Sequence, residues 1–153
     1  MTEEQKVSKT PVLLVGVDIG STTTKLAVMT EDTKEMLYTS YRRHNSNQIK
    51  SVREAFQNLA EKFPDARLRI AVTGSGARPV SKGLHVPFIQ EVVANSLVLR
   101  QEYPNVRTAI ELGGQDAKII FFRQSEGENE LQVSDMRMNG SCAGGTGAFL
   151  DEL

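Results

Sequence analysis

The residues with the most chemistry to offer sit in three glycine-rich turns: DIGSTTTK at 18–25, ELGGQDAK at 111–118 and CAGGTG at 142–147. Glycine has no Cβ, so backbone N–H groups beside it can approach a phosphate closely and line up as donors. In the first turn Gly20 opens the backbone, and Ser21, Thr22 and Thr23 add hydroxyl donors. Asp18 stands on the rim, where a carboxylate can hold Mg²⁺ through water, and Lys25 can neutralise phosphate charge. Gly113 and Gly114 repeat the pattern 93 residues after Gly20. The plainer alternative is a set of ordinary turns with polar tips. Two such turns, each preceded by an apolar run and followed by a hairpin, favour phosphate binding over that alternative.

Four carboxylates, Asp18, Glu91, Glu111 and Asp116, fall at or near predicted strand ends. In an open αβ sheet ligands sit beyond those ends. Convergent carboxylates there could hold Mg²⁺ and orient an attacking water; the alternative is solvated caps and turn residues. Cys142 lies in a Gly/Ala-rich loop just before a predicted helix start, where the helix dipole favours a thiolate as nucleophile or metal ligand. A small buried residue is the other reading, since free cysteine is commonly buried. His44 and His85 have no spacing that suggests a catalytic dyad with it. GxxxxGK[ST] is absent, which excludes a P-loop. Gly74-Ser75-Gly76 lacks a third glycine, and no helical pattern is read after it, which argues against a Rossmann site.

These turns need strands to hold them. After Pro11, the run VLLVGVDIG is continuously apolar and β-branched and stops at Gly20, the pattern of a buried strand entering a tight turn. Residues 24–29 and 36–42 complete a predicted antiparallel meander. Ile49, Val52, Phe56, Leu59 and Phe63 follow at steps of three and four, one face of a helix capped by Ser46 or Asn47 and ended by Pro64. Residues 68–72 read as a strand, 85–89 as a short strand, 91–102 as an apolar helix and 106–112 as another strand. Residues 117–122 and 131–138 read as a second hairpin. A helix is expected to start at Thr146 or Gly147, with Phe149, Leu150 and Leu153 as its apolar residues. A helix stopping that soon suggests a chain cut inside a helix of a larger protein.

Composition narrows the partners. The 153 residues are 39% hydrophobic and 24% charged, an ordinary globular balance for about one domain. Eighteen basic against nineteen acidic residues give a net charge of −1, which argues against nucleic acid and against a polybasic membrane surface. There is no Trp, and the early apolar run is far shorter than the ~20 residues of a membrane span. One cysteine excludes an internal disulfide, consistent with a cytoplasmic setting.

With the turns placed, DIGST and ELGG resemble the two phosphate loops of the acetate kinase, sugar kinase, chaperone and actin superfamily. Within it, DIGSTTTK, TGSGAR at 73–78, ELGGQDAK and above all MNGSCAGGTGAFLD at 138–151 resemble the ATP-dependent activators of 2-hydroxyacyl-CoA dehydratases and the ATPase subunits of benzoyl-CoA reductase. The CAGGTGAF form is similar to that of long fused activator–dehydratase proteins, of which this chain would be an N-terminal fragment. The resemblance implies an α/β, RNase H-like (actin-like ATPase) fold: a mixed sheet with flanking helices, its second copy truncated. It implies a flexible tail at 1–10, a first domain at 11–103 and the beginning of a second at 104–153.

The resemblance also implies roles. Gly20, Ser21, Thr22, Thr23 and Lys25 would contact the phosphates of ATP or ADP, and Gly113, Gly114, Gly144, Gly145 and Thr146 would complete the nucleotide site. Asp18 and Glu91 would reach Mg²⁺ through water, and Asp18, Glu111, Gln115 and Asp116 would serve catalysis. Cys142 would be one ligand of a 4Fe–4S cluster shared across a homodimer. ATP hydrolysis would then drive a low-potential electron into a CoA-ester dehydratase or reductase component, possibly part of the same parent chain. The chain departs from this pattern in three places. A second cysteine is missing, the adenosine-contacting region would lie beyond Leu153, and Glu111 stands where many relatives carry Asp. Hydrolysis by these residues alone is therefore expected to be weak or absent. The rivals are a small-molecule kinase of the same fold and a non-catalytic, nucleotide-dependent actin-like scaffold.

Overall fold

The computed structural model describes residues 10–113, 116–124 and 131–139. Three strands come first: β1 (Val12–Ile19), β2 (Thr23–Thr30) and β3 (Met36–Arg43). Helix α1 (Gln48–Lys62), strand β4 (Arg67–Thr73) and helix α2 (Ala77–Leu84) follow. Helix α3 (Glu91–Glu102) then leads to β5 (Thr108–Leu112), β6 (Ala117–Gln124) and β7 (Leu131–Asn139).

Two sheets result. The first is mixed, in the order β3-β2-β1-β4, with β1 antiparallel to β2 and parallel to β4. The second is antiparallel, in the order β5-β6-β7. Strand alternation sets the core: Leu13, Val15, Val17 and Ile19 point to one face of β1 and are buried, joined by Leu26 and Val28 of β2 and Val72 of β4. Val52, Ala55 and Leu59 of α1 and Ala77 of α2 close that core. The opposite face of β1 carries Gly16 and Asp18, which is how the sheet delivers Asp18 to a cleft rather than to the interior. A smaller core of Ile120, Phe122 and Leu131 receives Val92 and Leu99 of α3, so α3 packs on the second sheet.

The helix expected from the spacing of 49–63 is present, capped by Asn47, whose side-chain oxygen accepts from the Lys50 N–H. Ile49 departs from the expected apolar face and is exposed. Two expectations are corrected. A helix, α2, does open after Gly74-Ser75-Gly76. Its Pro79 falls in the first turn, where a missing N–H costs no intrahelical bond. The strand expected at 85–89 contracts to one bridge between Val72 and Phe88, since Pro87 can offer the sheet its carbonyl but no N–H. No helix among the described residues is long and apolar enough to cross a membrane.

Candidate functional site

Two hairpins of the same local build meet at the site. In the first, Asp18 lies opposite Lys25 in the β1–β2 register, and Lys25 Nζ donates to Asp18 Oδ2 at 2.9 Å. The turn between them is closed by Gly20 N–H donating to the Thr23 carbonyl at 2.9 Å. In the second, Glu111 lies opposite Lys118 in the β5–β6 register, with Nζ to Oε1 at 3.1 Å. That turn is closed by Gly113 N–H donating to the Asp116 carbonyl at 2.8 Å. Acid, glycine, turn acceptor and lysine recur at 18, 20, 23, 25 and again at 111, 113, 116, 118, a constant offset of 93.

The two turns line one cleft of about 290 Å³. Asp18, Gly20, Ser21, Thr22, Thr23 and Lys25 form one side with Ser75; Glu111, Gly113, Asp116 and Lys118 form the other with Glu91, the first residue of α3. The structure thus brings together most of the residues singled out from the sequence. Gly114, Gln115, Cys142, Gly144, Gly145 and Thr146 lie outside the described residues.

The first turn is held from behind by residues the sequence reading passed over. His44 N–H donates to the Thr22 carbonyl at 3.1 Å. The His44 ring, 5% exposed, meets the Gly20 carbonyl through Nε2 at 3.1 Å, and Gln48 Nε2 donates to the same oxygen at 3.2 Å. A carbonyl only accepts, so this contact fixes the Nε2–H tautomer. Gly74 has φ +99, and a Cβ there would lie 2.4 Å from the Ile19 carbonyl oxygen and 2.5 Å from Asp18 Oδ1. Only glycine lets the turn after β4 pass that close to Asp18. This gives TGSGAR a structural part beneath the acid.

The second turn is organised by Lys118, which the sequence reading did not single out. Its Nζ lies 2.5 Å from Glu91 Oε2, 3.1 Å from Glu111 Oε1 and 3.5 Å from Asp116 Oδ2. Asn95 Nδ2 donates to the other Glu111 oxygen at 2.9 Å. Among the described residues Lys118 is the one Lys, Arg, Asp or Glu that is buried. Burial alone would lower its pKa, but the hydrogen bonds it donates to Glu91 and Glu111 and their negative charge outweigh this and hold it well above the ordinary lysine value. Lys25 is pulled by burial in the same downward direction and is likewise raised on balance, chiefly by its hydrogen bond to Asp18. The signal that could have found Lys118 was the shared seven-residue step from acid to lysine.

Four carboxylates against two lysines leave the described lining with a formal charge of −2, suited to a divalent cation between protein and phosphate. The donor set fits Mg²⁺ at Asp18: its Oδ1 is buried and has no hydrogen-bond partner, as has Thr73 Oγ1 nearby in register. Glu91, by contrast, spends a carboxylate oxygen on Lys118. No three His, Cys, Asp or Glu side chains among the described residues are grouped as a self-sufficient metal cage.

Residues 15–152 match the model of the BadF/BadG/BcrA/BcrD ATPase family, and the chain belongs to that family. It is 30% identical over 142 residues to the (R)-2-hydroxyglutaryl-CoA dehydratase activating ATPase of Acidaminococcus fermentans, covering 91% of this chain and 51% of that protein. The crystal structure of the A. fermentans dehydratase component A matches with a TM-score of 0.68 at 30% identity, over 92% of this chain and 52% of that one. The activator of the 2-hydroxyisocaproyl-CoA dehydratase from Clostridium difficile, solved with bound ADPNP, matches with a TM-score of 0.70 at 25% identity, over 92% and 50%. The fold is that of the actin-like ATPases. The chain spans about half the length of the curated relatives it matches.

Proposed function

We propose that the cleft binds Mg–ATP and that the protein carrying it is an activating ATPase for a CoA-ester dehydratase or a similar reductase. The observation that supports this most is the pair of matched glycine turns lining one cleft, four residues of each at a constant offset. In this reading residues 11–103 form the first RNase H-like unit and the second begins at 104, with α3 bridging the two.

Each side of the cleft has its task. The amides and hydroxyls at Gly20, Ser21, Thr22 and Thr23 grip the terminal phosphates, held in place by His44 and Gln48. Lys25 offsets phosphate charge. Asp18 holds Mg²⁺ through water with its unpartnered oxygen; when bound, the ion neutralises charge developing on the phosphates. Gly113 lines the other side; Gly114 would add an amide for the phosphates, and Asp116 and Gln115 would orient the attacking water with Glu111. Gly144, Gly145 and Thr146 add donors.

In the same proposal the partner is a CoA-ester dehydratase, as for the activating ATPases this chain is similar to, served by ATP-driven electron transfer with Cys142 as a thiolate ligand of an iron–sulfur cluster between two copies. These 153 residues hold one cysteine, so two copies supply two of the four ligands a 4Fe–4S cluster needs. They do not complete the cluster.

Calorimetric titration with Mg–ADP tests the nucleotide reading. One-to-one binding that Asp18→Asn weakens at least tenfold is expected, an estimate for loss of one charged contact at a phosphate–metal site. No binding to the wild-type chain, or unchanged binding in the variant, would contradict it.

A further inference from the structure

We propose that Lys118 is a positioning residue: a built-in counter-ion that holds Glu91, Glu111 and Asp116 together and keeps them from capturing a divalent cation when no nucleotide is present. The inference deepens the proposed nucleotide site and rests on it for biological meaning, but its test does not require nucleotide.

The geometry carries it. Three carboxylates come from three different places: Glu91 from the start of α3, Glu111 from β5, and Asp116 from the turn before β6. Held this close without a cation, they would repel one another, because like charges a few ångströms apart in a partly buried site are costly. Lys118 Nζ lies within 3.5 Å of all three, with its side chain 11% exposed. Two of its protons are donated to Glu91 and Glu111, and Asp116 adds an ion pair at 3.5 Å. Lys25 is less enclosed in the same frame: it pairs with one acid, and its side chain is 49% exposed.

The consequence concerns selectivity among cations. With Lys118 in place the described lining carries −2; without it the lining carries −3, and the charge the ammonium balances is left to a free cation. A tethered ammonium therefore competes with a free divalent ion on the second-sheet side. Asp18, whose Oδ1 has no partner, remains the acid open to a metal that arrives with phosphate. Lys118 so biases the metal toward Asp18 and toward entry as a metal–nucleotide complex.

The test is Mn²⁺ binding to the nucleotide-free chain, read by electron paramagnetic resonance, in wild type, Lys118→Met, Lys118→Gln and Lys118→Arg. Lys118→Met and Lys118→Gln should bind Mn²⁺ about tenfold more tightly than wild type, the scale of one unit charge removed at a few ångströms. Lys118→Arg should stay at the wild-type value. Equal Mn²⁺ affinity in wild type and a folded neutral variant would overturn the role. If both neutral variants fail to fold while the arginine variant folds, stability itself reports the same need for a cation. If the arginine variant also fails to fold, charge is not what the position requires and the inference falls. Failure of wild type to bind Mg–ADP would strike the proposed function and leave this result readable.

Discussion

In the first hairpin the lysine opposite Asp18 meets one carboxylate and leaves 49% of its side chain in solvent. In the second, the lysine opposite Glu111 meets three carboxylates and leaves 11%. The two hairpins share the acid–lysine register, the closing turn bond and the spacing, so the difference comes from what is packed beside them. Helix α3 sets Glu91 against the second hairpin, whereas the first is backed by His44, Gln48 and the glycine turn after β4. One frame therefore presents hydroxyls and amides, and the other presents charge. A repeated local geometry is a scaffold; the neighbours decide its chemistry.

The contrast can be tested at four points. The largest effect belongs to Asp18→Asn. It should cut phosphate release about a hundredfold, the scale of one lost electrostatic contact at a reacting phosphate, measured in a protein spanning the relatives' full length. Next come the two turn glycines. A Cβ at Gly113 would lie 2.5 Å from Asp116 Oδ1, while one at Gly20 meets nothing nearer than 3.5 Å. Denaturant unfolding should show Gly113→Ala destabilised by about 1–3 kcal/mol and Gly20→Ala by under about 1 kcal/mol.

A third test loosens the support of the first turn alone. His44→Ala removes a ring contact to the Gly20 carbonyl. It should cost about 1–2 kcal/mol and weaken Mg–ADP binding, with the Lys118 cluster unchanged in its Mn²⁺ response. The smallest effect is in alkali. Both lysines have folded pKa values above the ordinary 10.5, so their contribution is complete below pH 10.5 and is lost as pH rises through the folded values. Lys118→Met should remove most of the alkaline slope of stability, and Lys25→Met, at a half-exposed pair, little of it. Equal slopes would erase the distinction between the two hairpins.

Much of this was legible in the sequence because it is written in local patterns. The run from Val12 to Ile19 and the ends of α3 at Glu91 and Glu102 follow from apolar continuity and flanking prolines. The glycine turns announced the cleft. Helix α2 was not legible, because Pro79 and Gly83 look like breakers, though one sits in the first turn and the other next to the end. The packing side of α3 was hidden as well: its apolar residues are spread around the helix, yet Val92 and Leu99 face the second core while Val93, Leu97 and Val98 are about half exposed. Lys118 and His44 were missed because their importance is tertiary. Nothing in their own neighbourhoods shows that Glu91, 27 residues before Lys118, or Gly20, 24 residues before His44, will meet them.

The most direct measurement is a backbone-amide NMR titration of the chain with Mg–ADPNP. The resonances of Ser21 and Thr22 and that of Gly113 should move together along one binding curve with one midpoint. Movement at a single turn, or two unrelated midpoints, would contradict a cleft in which both turns hold the same nucleotide.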